Sequence, residues 1–196
     1  LFVAGEDAGG VHGANRLGGN GVANSTVFGG IAGDTLARWV PQHGDYADVD
    51  TDAINAAITR CTRPLNQPRG DLEAIRDALA ELMWNDVGIL RDAQGLERAK
   101  QQLMALEAQL DRTGIDGRDL RFNLSWHDWM NLRNLILVSR AITESALMRE
   151  NSRGAHYRED FPEAGALETS EYMCVRLEGN TFATTRDRVQ ITRVRP

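Results

Sequence analysis

Near its start the chain places a carboxylate, an imidazole and a guanidinium in one glycine-loaded segment: Glu6, His12 and Arg16 within GEDAGGVHGANRLGGNG. Arginine is always charged and offers paired donors at fixed spacing, so Arg16 suits the gripping of a carboxylate. An ionised glutamate only accepts hydrogen bonds, which suits Glu6 to hydroxyls. The His12 imidazole can orient the arginine or a bound anion. The glycines between Gly5 and Gly21 leave little bulk between these groups, so a ligand can touch the backbone. From about Asn20, Ala, Val, Phe and Ile recur at helical spacing, which sets the unpaired N–H groups and positive dipole end of a helix behind the loop. The combination points to an anionic or electron-rich ligand. As bare structure it is a Gly-rich strand-to-helix turn of an α/β domain.

Positioning such a loop requires elements on both sides. Leu1–Ala4 is a short apolar run and is expected to be a strand, and the helix after the loop should run from Asn20 to Val40. Pro41, Gly44 and the acidic DYADVDTD then mark a linker. Asp50 or Thr51 is placed to cap a helix ending near Thr62, which Pro64 and Pro68 stop. Gly70-Asp71 restarts a helix whose inner face carries Leu72, Ile75, Leu79, Leu82 and Met83. Leu96, Ala99, Leu103, Leu106 and Leu110 form the seam of the next. After TGIDGRD, Ser125 is expected to cap a long helix from Trp126 to about Glu150, with Trp129, Leu132, Leu135, Ile136 and Ile142 facing inward. Three such helices with short joins make a small bundle. Trp84, Trp126 and Trp129 are expected to pack within it. Beyond Ser152, Tyr172–Leu177 and Arg188–Val194 alternate apolar and polar residues about the turn Glu178-Gly179-Asn180, the pattern of a hairpin.

Composition narrows the function classes. The 196 residues are 42% hydrophobic, enough to bury a real core. A net charge of −6, with the arginines interleaved among acids, argues against nucleic acid as a partner. Cys61 and Cys174 are isolated thiols with no metal-ligand spacing, which fits a reducing compartment and no metal site. No apolar run approaches the roughly 18 residues of a membrane span.

The run GE…HGANRLGGN resembles the flavin-contacting segment of the succinate dehydrogenase/fumarate reductase flavoproteins, a family that includes L-aspartate oxidase. Met83–Arg91, MWNDVGILR, resembles that family's helical domain, and Ser152–Pro162, SRGAHYREDFP, resembles its link after the last long helix. There are two departures. GEDAGGVH is one residue short of the usual spacing, and Gly21-Val22 replaces the commoner Ser-Leu. The resemblance implies FAD as cofactor and a C4-dicarboxylate as substrate. Arg16 would hold a substrate carboxylate and take the catalytic role, with His12 beside it. Glu6 would meet the FAD sugar chain, and the amides of Asn20, Gly21 and Val22 the flavin ring. Arg153 and His156 would fold back toward the flavoprotein body, their role mainly structural.

It also implies an architecture. A mainly α chain is expected, with residues 1–45 as the last strand, loop and helix of an α/β FAD-binding domain, 46–151 as the helical bundle and 152–196 as a small β-containing tail. Family members are much longer, and no GxGxxG follows a strand here, so the ADP half of FAD has no loop to hold it. The chain is therefore expected to be the C-terminal part of a flavoenzyme, inactive and without FAD by itself. Its expected partners are the N-terminal part of the same flavoprotein and an iron–sulfur subunit, with no nucleic acid and no membrane span of its own. The setting is cytoplasmic, at the inner face of the inner membrane through those partners. An L-aspartate oxidase type of flavoenzyme, or a non-catalytic helical docking module, are the alternative readings.

Overall fold

The structure, a computed structural model, describes residues 2–13, 15–44 and 47–191. It is mainly α, with five α-helices among the described residues: α1 Asn20–His43, α2 Thr51–Thr62, α3 Leu72–Asn85, α4 Ala93–Leu110 and α5 Leu124–Met148. Two short strands, β1 Leu90–Arg91 and β2 Tyr157–Arg158, pair in parallel. A hairpin follows, β3 Glu171–Glu178 with β4 Thr181–Arg188. The chain divides into two compact units, residues 1–50 with Arg153–Ala155, and residues 51–152 with 156–196.

In the first unit, α1 continues three residues past the expected Val40, carrying Pro41 within its last turn. His43 stacks on Trp39, ring centroids 4.7 Å apart, which steadies a turn that the proline weakens. The expected strand at Leu1–Ala4 does not form. Leu1 lies outside the described residues, and Phe2–Ala4 pair with no strand. An extended segment becomes a strand only beside a partner. Here Phe2 sets its ring edge-on to Trp39 of α1 at 5.4 Å.

The second unit is built on α3, α4 and α5. Ile75, Leu79 and Leu82 of α3, Leu96, Ala99, Leu103 and Leu110 of α4, and Trp129, Leu132 and Ile136 of α5 form one buried core. Burial of each large side chain is worth about 1.5–3 kcal/mol. The Trp129 indole N–H also reaches the Leu110 and Thr113 carbonyls, at 3.1 and 3.0 Å, and so closes the C-terminal end of α4. Asp71 and Asp92 cap α3 and α4 by accepting from the Ala74 and Gly95 amides.

Several expectations are corrected. Asn123 rather than Ser125 caps α5, its carboxamide oxygen accepting from the Trp126 amide at 3.0 Å, because the helix begins one residue earlier than Ser125. Leu135 and Ile142 are exposed, since the core covers only the stripe through Trp129, Leu132 and Ile136. Trp84, expected in the bundle, is 81% exposed, while its neighbour Met83 packs on the core. The expected turn at 178–180 forms, but the second strand is Thr181–Arg188, not Arg188–Val194, of which 192–194 lie outside the described residues. Gly179, with φ 62°, adopts the left-handed conformation of a two-residue hairpin turn, so pairing begins at once with Glu178 opposite Thr181.

Arg158 joins these pieces. It is 1% exposed, and its Nη1 donates to the carbonyls of Ala146, Leu147 and Arg149, at 3.0–3.1 Å, across the C-terminal end of α5. Its Nε and Nη2 grip Asp160 in a two-pronged pair, both at 2.7 Å. Asp160 in turn accepts from the Ala93 amide at the start of α4. The Ser152 hydroxyl accepts from the Arg158 amide and donates to the Phe161 carbonyl, both at 2.8 Å. SRGAHYREDFP is therefore a structural clasp.

His156 lies within it. Its Nδ1 accepts from Arg91 Nη1, and burial together with the Arg91 charge lowers its pKa to about 4. Between pH 6.5 and 4 the unfolded chain takes up a proton that the folded one refuses. Stability is therefore full above about pH 6.5 and declines as pH falls through that window. His156→Gln keeps an acceptor for Arg91 and should flatten this component, sparing about 1 kcal/mol at pH 5 relative to pH 7. Urea unfolding of both proteins at the two pH values checks it, and equal losses would show that His156 is not buried neutral.

Candidate functional site

In the first unit a single turn, Gly5–Asp7, carries Glu6. Gly5 is buried with φ +74°, and a Cβ there would fall 2.6 Å from Ser25 Oγ and 2.8 Å from Ser25 Cα in α1. The turn thus lies directly on the helix. Arg16 returns toward it, Nη2 3.5 Å from Glu6 Oε1, with side chains 35% and 75% exposed. Its own amide donates to Asn15 Oδ1 at 2.8 Å, a local contact that holds the loop's return.

The Arg16 guanidinium lies over the first turn of α1, because a Cβ on Gly21 would meet its Cζ and Nη2 at 3.0 Å. Gly19, with φ 85°, precedes the helix and no side chain caps it. A cation at the positive end of a 24-residue helix raises the local potential, and its one ion-pair partner, the largely solvated Glu6 at 3.5 Å, offsets it only in part. That arrangement favours a bound anion.

Glu6, Arg16 and the α1 start at Asn20, Gly21 and Val22 share this unit. Of the three amides, that of Asn20 donates to the Leu17 carbonyl at 3.3 Å, so those of Gly21 and Val22 are the ones that can face a ligand. The His12 Nε2 atom is buried without a hydrogen-bond partner, as is Asn24 Oδ1 in α1. Buried polar atoms without partners are costly, and a polar ligand would satisfy them. Uncapped amides, orphaned polar atoms and a positive cradle together fit an anionic group or the electron-rich edge of a flavin.

Asn15 and Asn24 carry no sequence signal beyond being amides in or behind a glycine loop. Arg153 belongs to the same compact unit as the loop, whereas His156 belongs to the second and is held there by Arg91 and, at 3.4 Å, by the Arg149 carbonyl.

The described residues combine a helical bundle with, earlier in sequence, a glycine loop that ends on an uncapped helix. Residues 76–196 match the family described as fumarate reductase flavoprotein C-term, and the chain belongs to that family. It is 39% identical over 165 residues to an uncharacterized FAD-dependent oxidoreductase of Methanocaldococcus jannaschii, covering 83% of this chain and 29% of the relative. It is 38% identical over 167 residues to one subunit of the fumarate reductase (CoM/CoB) of Methanothermobacter marburgensis, with the same coverage. Among solved structures, Sdh1 of Mycobacterium smegmatis in complex with UQ1 superposes with a TM-score of 0.87 at 31% identity, covering 97% of this chain and 33% of that one. The chain thus spans under a third of the length of the curated relatives it matches.

The turn beneath Glu6 generates a prediction. Gly5→Ala forces a side chain into a left-handed residue that already touches Ser25 backbone, and should loosen the α1 start by about 1–3 kcal/mol. Gly9→Ala, with nothing within 4 Å, should change little. Hydrogen exchange at the α1 amides separates the two, and equal protection in both variants would contradict the close contact.

Proposed function

We propose that this chain forms the substrate and flavin wall of an FAD-dependent oxidoreductase that moves two electrons between a C4-dicarboxylate, succinate or fumarate, and an acceptor. The observation that carries the reading is the Arg16 guanidinium over the uncapped start of α1. Flavin, when bound, supplies the two-electron chemistry. Arg16 grips one substrate carboxylate with its planar fork, and His12 lies in the same loop to orient it. Glu6 accepts from hydroxyls of the FAD sugar chain. The helix start at Asn20, Gly21 and Val22 meets the flavin ring, with the amides of Gly21 and Val22 toward it, where positive potential favours its reduced, more negative form. Val22 takes part through its backbone, so the Gly21-Val22 departure leaves this contact possible.

On this reading residues 1–45 end an FAD-binding domain, 46–151 form the bundle and 152–196 the tail. With no GxGxxG loop, these residues reach the flavin end of FAD and leave the ADP end to other parts of the flavoprotein, so the chain by itself holds FAD weakly. The enzyme would work on the cytoplasmic side, passing electrons to an iron–sulfur subunit. No described helix is long and apolar enough to cross a membrane.

In the full flavoprotein, Arg16→Lys keeps the charge and loses the fork. Turnover as well as affinity should fall, by about 2–4 kcal/mol in total, with Arg16→Ala worse. FAD content should stay near normal. Steady-state succinate oxidation or fumarate reduction, measured beside flavin occupancy, decides it; near-normal turnover would remove Arg16 from the site. Rates with L-aspartate in the same assay distinguish the aspartate oxidase reading.

A further inference from the structure

We propose that the second unit holds a separate binding site for a small organic acid, in the cavity between the end of α2, the middle of α5 and the β3–β4 turn. The cavity measures about 510 Å³, within the range of small-molecule sites. Arg60 of α2 and Arg133 of α5 both line it, and neither has a hydrogen-bond or ion-pair partner among the described residues. Several other arginines of this unit are matched: Arg140 holds Glu107 at 2.7 Å, Arg63 holds Asp111 at 2.8 Å and Arg98 holds Asp86 at 2.8 Å. Glu107, the one acid lining the cavity, is thereby already neutralised. Two unmatched cations in one concavity are unexpected in a chain of net charge −6.

Arg133 is half-buried, so it has given up part of its hydration without gaining a partner. A carboxylate between Arg60 and Arg133 would restore that loss. The wall beside them is apolar, formed by Met130, Leu137 and Leu177, with the Asn134 and Asn180 amides at its edge. The ligand therefore carries a short hydrocarbon body as well as charge, which selects an organic carboxylate over inorganic phosphate. The site shares no residue with the Arg16 loop.

Glutarate is the probe, titrated at low salt into the whole isotope-labelled chain and read at the backbone amides of Leu177, Gly179 and Asn180. These should shift saturably, with a dissociation constant of about 1 mM or tighter. Arg133→Met and Arg60→Met should each weaken binding about tenfold, Arg133→Lys less, and inorganic phosphate should produce no comparable shift. Arg16→Met should leave these three amides responding as before, which keeps the outcome separate from that of the proposed dicarboxylate contact in the first unit. Unchanged spectra up to about 10 mM glutarate, ten times the expected constant, would overturn the proposal. So would shifts that survive both substitutions, equal binding of phosphate, or tighter Arg-dependent binding of an oligo-glutamate peptide, which would make the cavity a protein-docking surface. The melting temperature of each variant identifies any that misfolds, and Arg133→Lys then carries the test.

Discussion

The second unit depends on the guanidinium of Arg158. A helix ends with carbonyls that have no partner along the chain, and a charged group taken out of water needs several partners to be tolerated. Arg158 meets both demands at once. It spends one nitrogen on three carbonyls at the end of α5 and the other two on Asp160, whose second contact is the first amide of α4. Asp160 is held ionised, its pKa lowered to about 2 chiefly by the hydrogen bond from Arg158. One ion pair thus joins the end of one core helix to the start of another. The β1–β2 pair, with Arg91 opposite Arg158, adds a second tie in the same place. His156 shares the tie through Arg91, and burial together with the Arg91 charge keeps it neutral.

The first unit works by the opposite logic. There the pairing is looser: Arg16 lies against a positive helix end and meets a mostly solvated Glu6 at 3.5 Å, and His12 and Asn24 keep polar atoms buried and unmatched. A clasp satisfies its polar groups, whereas this loop leaves some of its own unmatched. The glycines serve this in particular ways. Gly5 lets the turn touch Ser25, and Gly21 leaves room for the Arg16 guanidinium.

The helices were legible in the sequence because their apolar residues recur with a period that burial then uses, as in Ile75–Leu79–Leu82 and Leu96–Ala99–Leu103–Leu110. The Glu6–Arg16 loop stood out by residue types and order, and the structure brings those two side chains together. Other features depend on partners that pattern does not name. Trp84 has the same apolar character as Trp129, and only the direction of its face leaves it exposed. Leu1–Ala4 reads as a strand by composition, but strands are defined by neighbours. The second hairpin strand, with its TFATTRDR sequence, lacks a clear apolar alternation and is set by the Gly179-Asn180 turn instead. The role of Arg158 was hidden because SRGAHYREDFP has no periodicity, and a buried arginine is among the rarer outcomes for its type.

The most direct test of this account is a double-mutant cycle on Arg158→Met and Asp160→Asn, followed by urea unfolding at pH 7. Asp160→Asn leaves the buried Arg158 charge uncompensated and Arg158→Met leaves three carbonyls at the end of α5 without their donor, so each single change should cost about 3–5 kcal/mol. Removing both should cost far less than their sum, with a coupling of about 2–3 kcal/mol. Strictly additive losses would mean that the two residues act independently and that no ion pair joins α4 to α5.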